Sequence, residues 1–231
     1  MLCTYTNHYA ETVGPQKPSL YHSWTNSHPE EFDRFIGLLV YMSIVQVQNI
    51  ETYWSNKSLY HGLWARSSMV KKMFKQLMSF LKISNGRTEG PDDKLSKARF
   101  LMEFMRRKCL KLFQQFQNVC IDERMVRNKG RYSFRQYIRD KPTKWGIKLW
   151  VLADSSTGYT YDFDVYLGKS IATSGFGLAY DVVMNLKSIV NYGYYLCFEN
   201  FYTSVQLVRD LVGKGIRPCG TIIANRKGSP P

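Results

Sequence analysis

Two acidic residues stand where strands could bring carboxylates together. Asp122 follows the apolar run NVCI, and Glu199 follows the run YYLCF. Short apolar runs of this kind are typical of buried strands. Two neighbouring carboxylates repel each other unless a cation neutralises them, and a hard divalent ion such as Mg²⁺ prefers oxygen ligands and keeps positions open for a phosphate. Asp122 and Glu199 are therefore our candidate metal ligands and catalytic residues.

A strongly basic segment, residues 123–148, follows Asp122. It holds nine Lys and Arg residues against two acidic ones, with four aromatic residues between them. Cations that contact phosphates and aromatic rings that stack on bases are the usual means of binding nucleic acid. The alternative is a basic surface hairpin whose aromatic residues pack inward. The candidate DNA-binding residues are Arg124, Arg127, Lys129, Arg131, Arg135, Arg139, Lys141, Lys144 and Lys148.

The composition agrees with a nucleic-acid partner. The 231 residues carry a formal net charge of +14, and 44% of them are hydrophobic. A chain of this size and apolar content can form a packed core, and its positive charge favours a polyanion. A basic protein with no nucleic-acid role remains the alternative on composition alone.

Several kinds of site need residues that this sequence does not have at suitable positions. All four histidines lie in the first 61 residues, and no CxxC pair occurs. A zinc site or a histidine-based triad in the second half is therefore excluded. The five scattered cysteines indicate a reducing compartment. No apolar run is long enough to span a bilayer, so we expect no membrane partner.

After residue 118 the apolar residues repeat with a period of about two, which is typical of strands. We predict five strands with two helices before the last two, in the order β-β-β-α-β-α-β. The predicted strands are NVCIDERM, GIKLWVLADS, YTYDFDVYLG, YYLCFEN and RPCGTIIANR. This order predicts an α/β fold with a mixed five-stranded sheet of the ribonuclease-H-like kind. A right-handed crossover would place the fourth strand parallel to the first, with Asp122 and Glu199 a few ångströms apart.

Three domains follow from these patterns. Residues 1–28 are polar without a clear period and predict an irregular N-terminal arm. Residues 29–117 carry helical periodicity and predict an all-α region. Residues 118–231 form the predicted ribonuclease-H-like core.

Other charged residues have structural interpretations. Asp154 precedes the turn SSTG and is expected to cap it. Asp162 and Asp164 share a strand face and are expected to be solvated or paired with Lys or Arg. Glu123 is expected to point away from Asp122, because successive strand side chains alternate. Arg106 belongs to a basic helix face that is either solvated or directed at phosphates.

Long motifs in this chain resemble those of piggyBac-type transposases and the proteins domesticated from them. The first is IDERMVRNKGRYSFRQYIRDKPTKWGIKLWVLADSSTGYTYDFDVYLGK. The second comprises GLAYDVVMNL and CFENFYTSVQLVRDL, followed by CGTIIANRKGSP. The helical lead-in, FDRFIGLLVYMSIVQVQNIETYWS and DDKLSKARF, is similar as well.

This resemblance implies a nuclear protein that binds DNA, with terminal inverted repeats as candidate sites and a homodimer as a candidate assembly. It implies an ancestor that used three aspartates and divalent metal, with Mg²⁺ as the expected cofactor. Asp122 matches the first aspartate, and Glu199 stands where the second is expected. The third would lie beyond the fifth strand, where no acidic residue follows Asp210. We therefore expect a C-terminally truncated core.

The resemblance leaves three functional hypotheses. We expect a transposase-derived DNA-binding protein without strand-transfer activity, because the metal-binding triad is incomplete. The first alternative is a metal-dependent transposase or nuclease whose third carboxylate comes from missing sequence or a partner chain. The second is a protein-interaction remnant without a DNA role.

Overall fold

The computed structural model describes residues 2–60, 62–84, 93–130, 132–168, 174–186, 193–226 and 228. The chain forms two compact units, Met1–Leu101 and Met102–Pro231. The division lies inside a helix, earlier than the boundary at 117/118 that the sequence patterns suggested. Within the described residues, no helix has the length and apolar character needed to cross a membrane.

The first unit is helical. Its α-helices are α1 (Leu2–Val13), α2 (Pro18–Tyr21), α3 (Pro29–Ile44), α4 (Ala65–Ser68) and α5 (Lys71–Phe80), with 3-10 turns at Gly14–Gln16, Ile50–Trp54 and Ser58–Tyr60. Helix α3 begins where Pro29 fits the first turn and the Glu31 carboxylate accepts the His28 N–H at 2.9 Å. Its buried Phe35 and Leu38 pack with residues of α5. The first unit therefore has its own hydrophobic core.

The prediction of an irregular arm over residues 1–28 is wrong, because α1 and α2 are helical. The Thr6 hydroxyl accepts the backbone N–H of Lys82 at 3.1 Å, and the Asn7 side chain bonds to Ser27 at 2.8 Å. The buried positions of α1 are Thr6 and Ala10, one polar and one small. This helix therefore lacks the apolar stripe by which periodicity is recognised.

The second unit is built on one sheet. Within the described residues its strands are β1 (Asn118–Arg127), β2 (Gln136–Tyr137), β3 (Trp145–Asp154), β4 (Thr160–Val165), β5 (Tyr195–Phe198) and β6 (Arg217–Gly220). The five predicted strands lie in the order β4-β3-β1-β5-β6, which confirms a mixed sheet with β1 at its centre. The short β2, which we did not predict, pairs with the start of β3.

Two ladders fix the position of β1. It runs antiparallel to β3 from the pair Val119–Asp154 to the pair Arg127–Gly146. It runs parallel to β5 only as far as the pair Ile121–Phe198. Strand β1 therefore extends beyond β5, and this overhang starts at Asp122.

Helices cover the apolar side chains of this sheet. They are α6 (Arg99–Leu112), α7 (Leu178–Leu186) and α8 (Val205–Gly213). The end of the helix predicted over 178–190 lies outside the described residues. The core includes Val119, Ile121, Leu152, Val183, Leu186, Leu196, Leu207 and Leu211. Leu110 of α6 packs against this core, so most of α6 belongs to the second unit and not to the separate helical region we expected.

Candidate functional site

The carboxylates of Asp122 and Glu199 meet where β5 ends. Glu199 is the first residue after β5, and Asp122 is the first residue of the β1 overhang. One oxygen from each lies within 4.8 Å of the other, together with one oxygen of Glu123. The sheet therefore brings together the two predicted ligands. We call Asp122, Glu123 and Glu199 the carboxylate cluster.

Glu123 was expected to point away from this site, and that expectation is wrong. Alternation sets the face of the strand from which a side chain starts. It does not prevent the long Glu123 side chain from bringing its carboxylate close to that of Asp122. Because β5 stops at Phe198, none of the described strands pairs with Glu123 on that side of β1. The buried Tyr202 hydroxyl donates to Oε2 of Glu123 at 3.3 Å and helps to hold the carboxylate there.

Lys141 of the basic segment lies against the cluster. Its Nζ is 3.1 Å from Oε1 of Glu123 and 4.0 Å from Oδ1 of Asp122. Burial opposes the charge of Lys141, but the hydrogen bond to Glu123 and the nearby carboxylates outweigh it and raise the lysine pKa. Burial likewise opposes ionisation of Glu123, yet Lys141 holds the pKa of that carboxyl below its usual value. These two residues therefore form a charged pair.

Asp122 has the less favourable environment. Burial raises the pKa of its carboxyl, and the charges of Glu123 and Glu199 add to the shift. The backbone N–H of Glu123 donates to Oδ1 of Asp122 at 2.7 Å and, with Lys141, opposes that shift. A carboxylate that is half-buried beside two others is a position at which an added cation is favourable.

Lys148 lies beside the cluster among aromatic rings. Its Nζ is 3.9 Å from the ring centroid of Trp150 and 5.3 Å from that of Phe201. The two rings are stacked at 12°, with centroids 5.9 Å apart. Burial lowers the pKa of Lys148, against the attraction of Glu123. Lys148 is thus partly desolvated by the rings and contributes positive charge near the carboxylates.

A short turn positions Glu199. Its carbonyl oxygen accepts the N–H of Tyr202 at 3.0 Å and the hydroxyl of Thr203 at 3.1 Å. The Ser204 side chain caps α8 by accepting the N–H of Leu207. The Arg226 guanidinium donates to the carbonyl of Phe201 at 3.1 Å. The turn is thereby fixed between β5 and α8, while the Glu199 side chain itself is exposed.

The donor set of the cluster suits a hard divalent cation. Three carboxylates can supply oxygen ligands at one point, which is the preference of Mg²⁺ or Mn²⁺. Asp122, Glu123 and Glu199 would hold such an ion, and Lys141 is the cation that now balances their charge. Mg²⁺ itself stays a prediction, because the same oxygens suit other hard ions.

The nine predicted DNA contacts occupy different environments. Arg135 stacks on Trp145 at 4.5 Å from its ring centroid, and Lys141 and Lys148 lie near the carboxylates. Arg131 lies outside the described residues. The exposed members are Arg124, Arg127, Lys129, Arg139 and Lys144. The basic segment therefore has five exposed cations, of which Arg139 contacts Asp140 at 3.1 Å, while two lysines turn toward the carboxylate cluster.

The aromatic residues of the basic segment also divide into two groups. Phe134 is buried, as the inward-packing alternative expected. Tyr132, Tyr137 and Trp145 are 47%, 51% and 50% exposed. Three of the four rings therefore face solvent among the cations.

Two other carboxylates of the sheet, Asp154 and Asp162, have structural partners. Asp154 is fully buried and accepts the N–H groups of Phe116, Ser156 and Thr157 at 2.8 to 3.0 Å, which confirms the predicted turn cap. Asp162 is also fully buried, and Arg106 binds both of its oxygens. The Arg106 side chain is therefore engaged in an internal ion pair.

This chain is similar in sequence to several known proteins. A family model described as Transposase IS4 matches residues 1–231. The human PiggyBac transposable element-derived protein 3 is 28% identical over 198 residues, covering 83% of this chain and 33% of that protein. The human PiggyBac transposable element-derived protein 2 is 22% identical over 205 residues, covering 84% and 33%. The chain thus spans about a third of the length of these curated relatives.

A solved structure has the same fold. It is the cryo-EM structure of a piggyBac transposase synaptic complex with hairpin DNA, which matches with a TM-score of 0.82 at 24% identity. The match covers 99% of this chain and 49% of the transposase chain. The fold is therefore that of a ribonuclease-H-like transposase, and the family model spans the whole chain. On these grounds the chain belongs to the Transposase IS4 family, of the piggyBac type.

Proposed function

We propose that this chain binds DNA through the exposed cations of the basic segment and does not itself carry out strand transfer. The observation that carries the first part is that one segment of the chain holds five exposed Lys and Arg residues with three exposed aromatic rings among them. Exposed cations supply phosphate contacts, and exposed rings supply faces for bases. The net charge of +14 supports the same partner.

The carboxylate cluster supports the second part. Glu199 stands where the family resemblance implies an aspartate, and its extra methylene moves the carboxylate by roughly an ångström, an error that metal geometry tolerates poorly. Lys141 already pairs with two members of the cluster. A divalent ion bound there would supply charge stabilisation for a transferred phosphoryl group. What the described residues themselves do is hold the carboxylates together and balance their charge.

A second candidate function rests on one observation. Three carboxylates lie within 4.8 Å of one another, a separation that suits a metal-dependent transposase or nuclease. In that case the remaining ligand would come from sequence beyond this chain or from a partner.

Salt dependence tests the DNA-binding proposal. We expect log K for a terminal-inverted-repeat duplex to fall linearly with log[salt], and Lys144→Ala to reduce the slope by about 1. Lys57→Ala removes an equal exposed charge from the first unit and serves as the matched control. A slope near zero for the unmodified chain would favour the protein-interaction alternative.

A nicking assay separates the two catalytic hypotheses. The chain is incubated with the same DNA and Mg²⁺ or Mn²⁺, alongside the Asp122→Asn and Glu199→Asp variants. We expect no cleavage by the unmodified chain. Cleavage that disappears in Asp122→Asn would establish the second candidate instead. Cleavage gained in Glu199→Asp would identify position 199 as the cause of inactivity.

A nuclear location and a homodimer belong to the same proposal. Both follow from the family resemblance and from a DNA partner. Imaging of a fluorescent fusion tests the location, and light scattering with and without DNA tests the assembly. Exclusion from the nucleus would contradict the first, and a monomer under both conditions would contradict the second.

A further inference from the structure

The rings of Tyr137 and Trp145 form an exposed pair at the edge of the sheet. They are direct cross-strand partners of β2 and β3, with ring centroids 4.9 Å apart. Each remains about half exposed. Two adjacent large rings that each stay about half exposed offer an aromatic surface on which a ligand can stack.

Backbone pairing positions both rings. Trp145 is followed by Gly146, where an added Cβ would lie 2.2 Å from the carbonyl oxygen of Val126. Gly146 therefore lets β3 approach β1 closely at the residue next to the ring. The Ile138 N–H bonds to the Lys144 carbonyl at 2.9 Å and closes the loop between the two rings. The ring pair thus lies on paired strands and not on a loose loop.

Arg135 fixes the indole ring further. Its guanidinium carbon lies 4.5 Å from the Trp145 ring centroid, a distance typical of a cation–π contact. The exposed cations Arg127, Arg139 and Lys144 lie next to the pair in the strands and loop. Trp145 therefore offers an exposed ring face held by Arg135, with further exposed cations close to it along the chain.

This combination suits one state of DNA in particular. In a duplex the base faces are already stacked, so a protein reaches mainly phosphates and groove edges. An unpaired base exposes its π-face, and stacking on an aromatic side chain then contributes about 1–3 kcal/mol per base. We propose that Tyr137 and Trp145 form a stacking platform for an unpaired DNA base, and that the chain prefers DNA containing unpaired nucleotides to continuous duplex. This inference rests on the proposed DNA-binding function.

The test compares two DNAs of the same length. One is a continuous duplex, and the other, the gapped DNA, has the same sequence but lacks the central nucleotides of one strand, so that the opposite nucleotides are unpaired. Dissociation constants come from fluorescence anisotropy of labelled DNA at two salt concentrations. The variants are Trp145→Ala, Trp145→Phe and Lys144→Ala, each checked by circular dichroism and thermal melting. Trp145→Phe keeps a ring, and Lys144→Ala removes a neighbouring charge without removing a ring.

We expect the unmodified chain to bind the gapped DNA more tightly. Trp145→Ala should weaken binding to gapped DNA by about 5- to 150-fold, the equivalent of 1–3 kcal/mol, with less than about a twofold change on duplex. Trp145→Phe should keep most of the preference, and Lys144→Ala should weaken both complexes by the same factor.

Failure of the stacking platform can be distinguished from failure of the proposed DNA binding. If both DNAs bind with salt-dependent affinity but Trp145→Ala changes them equally or not at all, the stacking platform is rejected and DNA binding stands. If neither DNA shows salt-dependent binding, the proposed function itself is rejected. If Trp145→Ala does not fold, Trp145→Phe is used in its place. An equal loss of affinity for both DNAs in Trp145→Phe would also reject the stacking platform.

Discussion

Two groups of carboxylates in one sheet have opposite environments. Asp154 and Asp162 are fully buried, and each accepts several hydrogen bonds or a paired guanidinium. Asp122 is half-buried and Glu123 is mostly buried; they share one lysine and lie beside a third carboxylate. The first group has partners that complete the fold. The second group keeps negative charge in excess, which is the property expected of residues that bind a ligand.

Removing Asp154 should have the largest effect on stability. In Asp154→Ala the N–H of Phe116 and the turn donors lose their buried acceptor, so we expect the free energy of unfolding to fall by about 2–3 kcal/mol. Urea denaturation at pH 7 measures this change in the free energy of unfolding. A loss below about 0.5 kcal/mol would remove the distinction between the two groups.

Removing Asp162 should have the next largest effect. Asp162→Ala leaves the Arg106 guanidinium without its carboxylate, and we expect a loss of about 1–2 kcal/mol. Arg106→Met in the same background should recover part of the loss, because the unpaired charge is gone. Additive effects of the two substitutions in a double-mutant cycle would show that the pair is not coupled.

Lowering the pH should reduce the contribution of the Asp154 carboxylate to the free energy of unfolding. Burial opposes ionisation of this carboxyl, but its backbone hydrogen bonds outweigh burial and lower its pKa. Its stabilisation is therefore complete above about pH 4, the unfolded-state pKa, and is lost as the pH falls through the lower folded-state pKa. The difference in unfolding free energy between the unmodified chain and Asp154→Asn should narrow below that pH. A difference that stays constant down to pH 2 would contradict the assignment.

Asp122→Asn should have the smallest effect. The amide oxygen can still accept the Glu123 N–H, and removal of one charge relieves repulsion within the carboxylate cluster. We expect an unfolding free energy that is unchanged or raised by less than about 0.5 kcal/mol in the urea experiment. A loss above about 1 kcal/mol would show that Asp122 is a structural carboxylate like Asp154.

The strand order and the meeting of Asp122 with Glu199 could be predicted from sequence. Both depend on apolar runs and on crossover rules that involve only backbone connectivity. The turn cap at Asp154 could be predicted because its donors are local. Helix α1 could not, because Thr6 and Ala10 give no apolar period.

The contacts of the basic segment could not be predicted either. Nothing in the composition separates Lys141, which reaches the carboxylates, from Lys144, which stays exposed. The difference depends on how the loop between β2 and β3 folds back over β1. Glu123 was missed for a related reason, since the end of β5 decides whether its side chain has room to join the cluster.

The overhang of β1 beyond β5 divides the carboxylate cluster into two residues on a paired strand and one residue on a turn. Asp122 and Glu123 lie inside the ladder between β1 and β3, which continues before and after them along the strand. Glu199 belongs to a turn between two elements and can be exchanged for another acid without disturbing either ladder. Under the proposed function, a substitution at position 199 would change metal affinity while the fold and the exposed cations stay the same. Loss of catalysis and retention of DNA binding would then be independent changes.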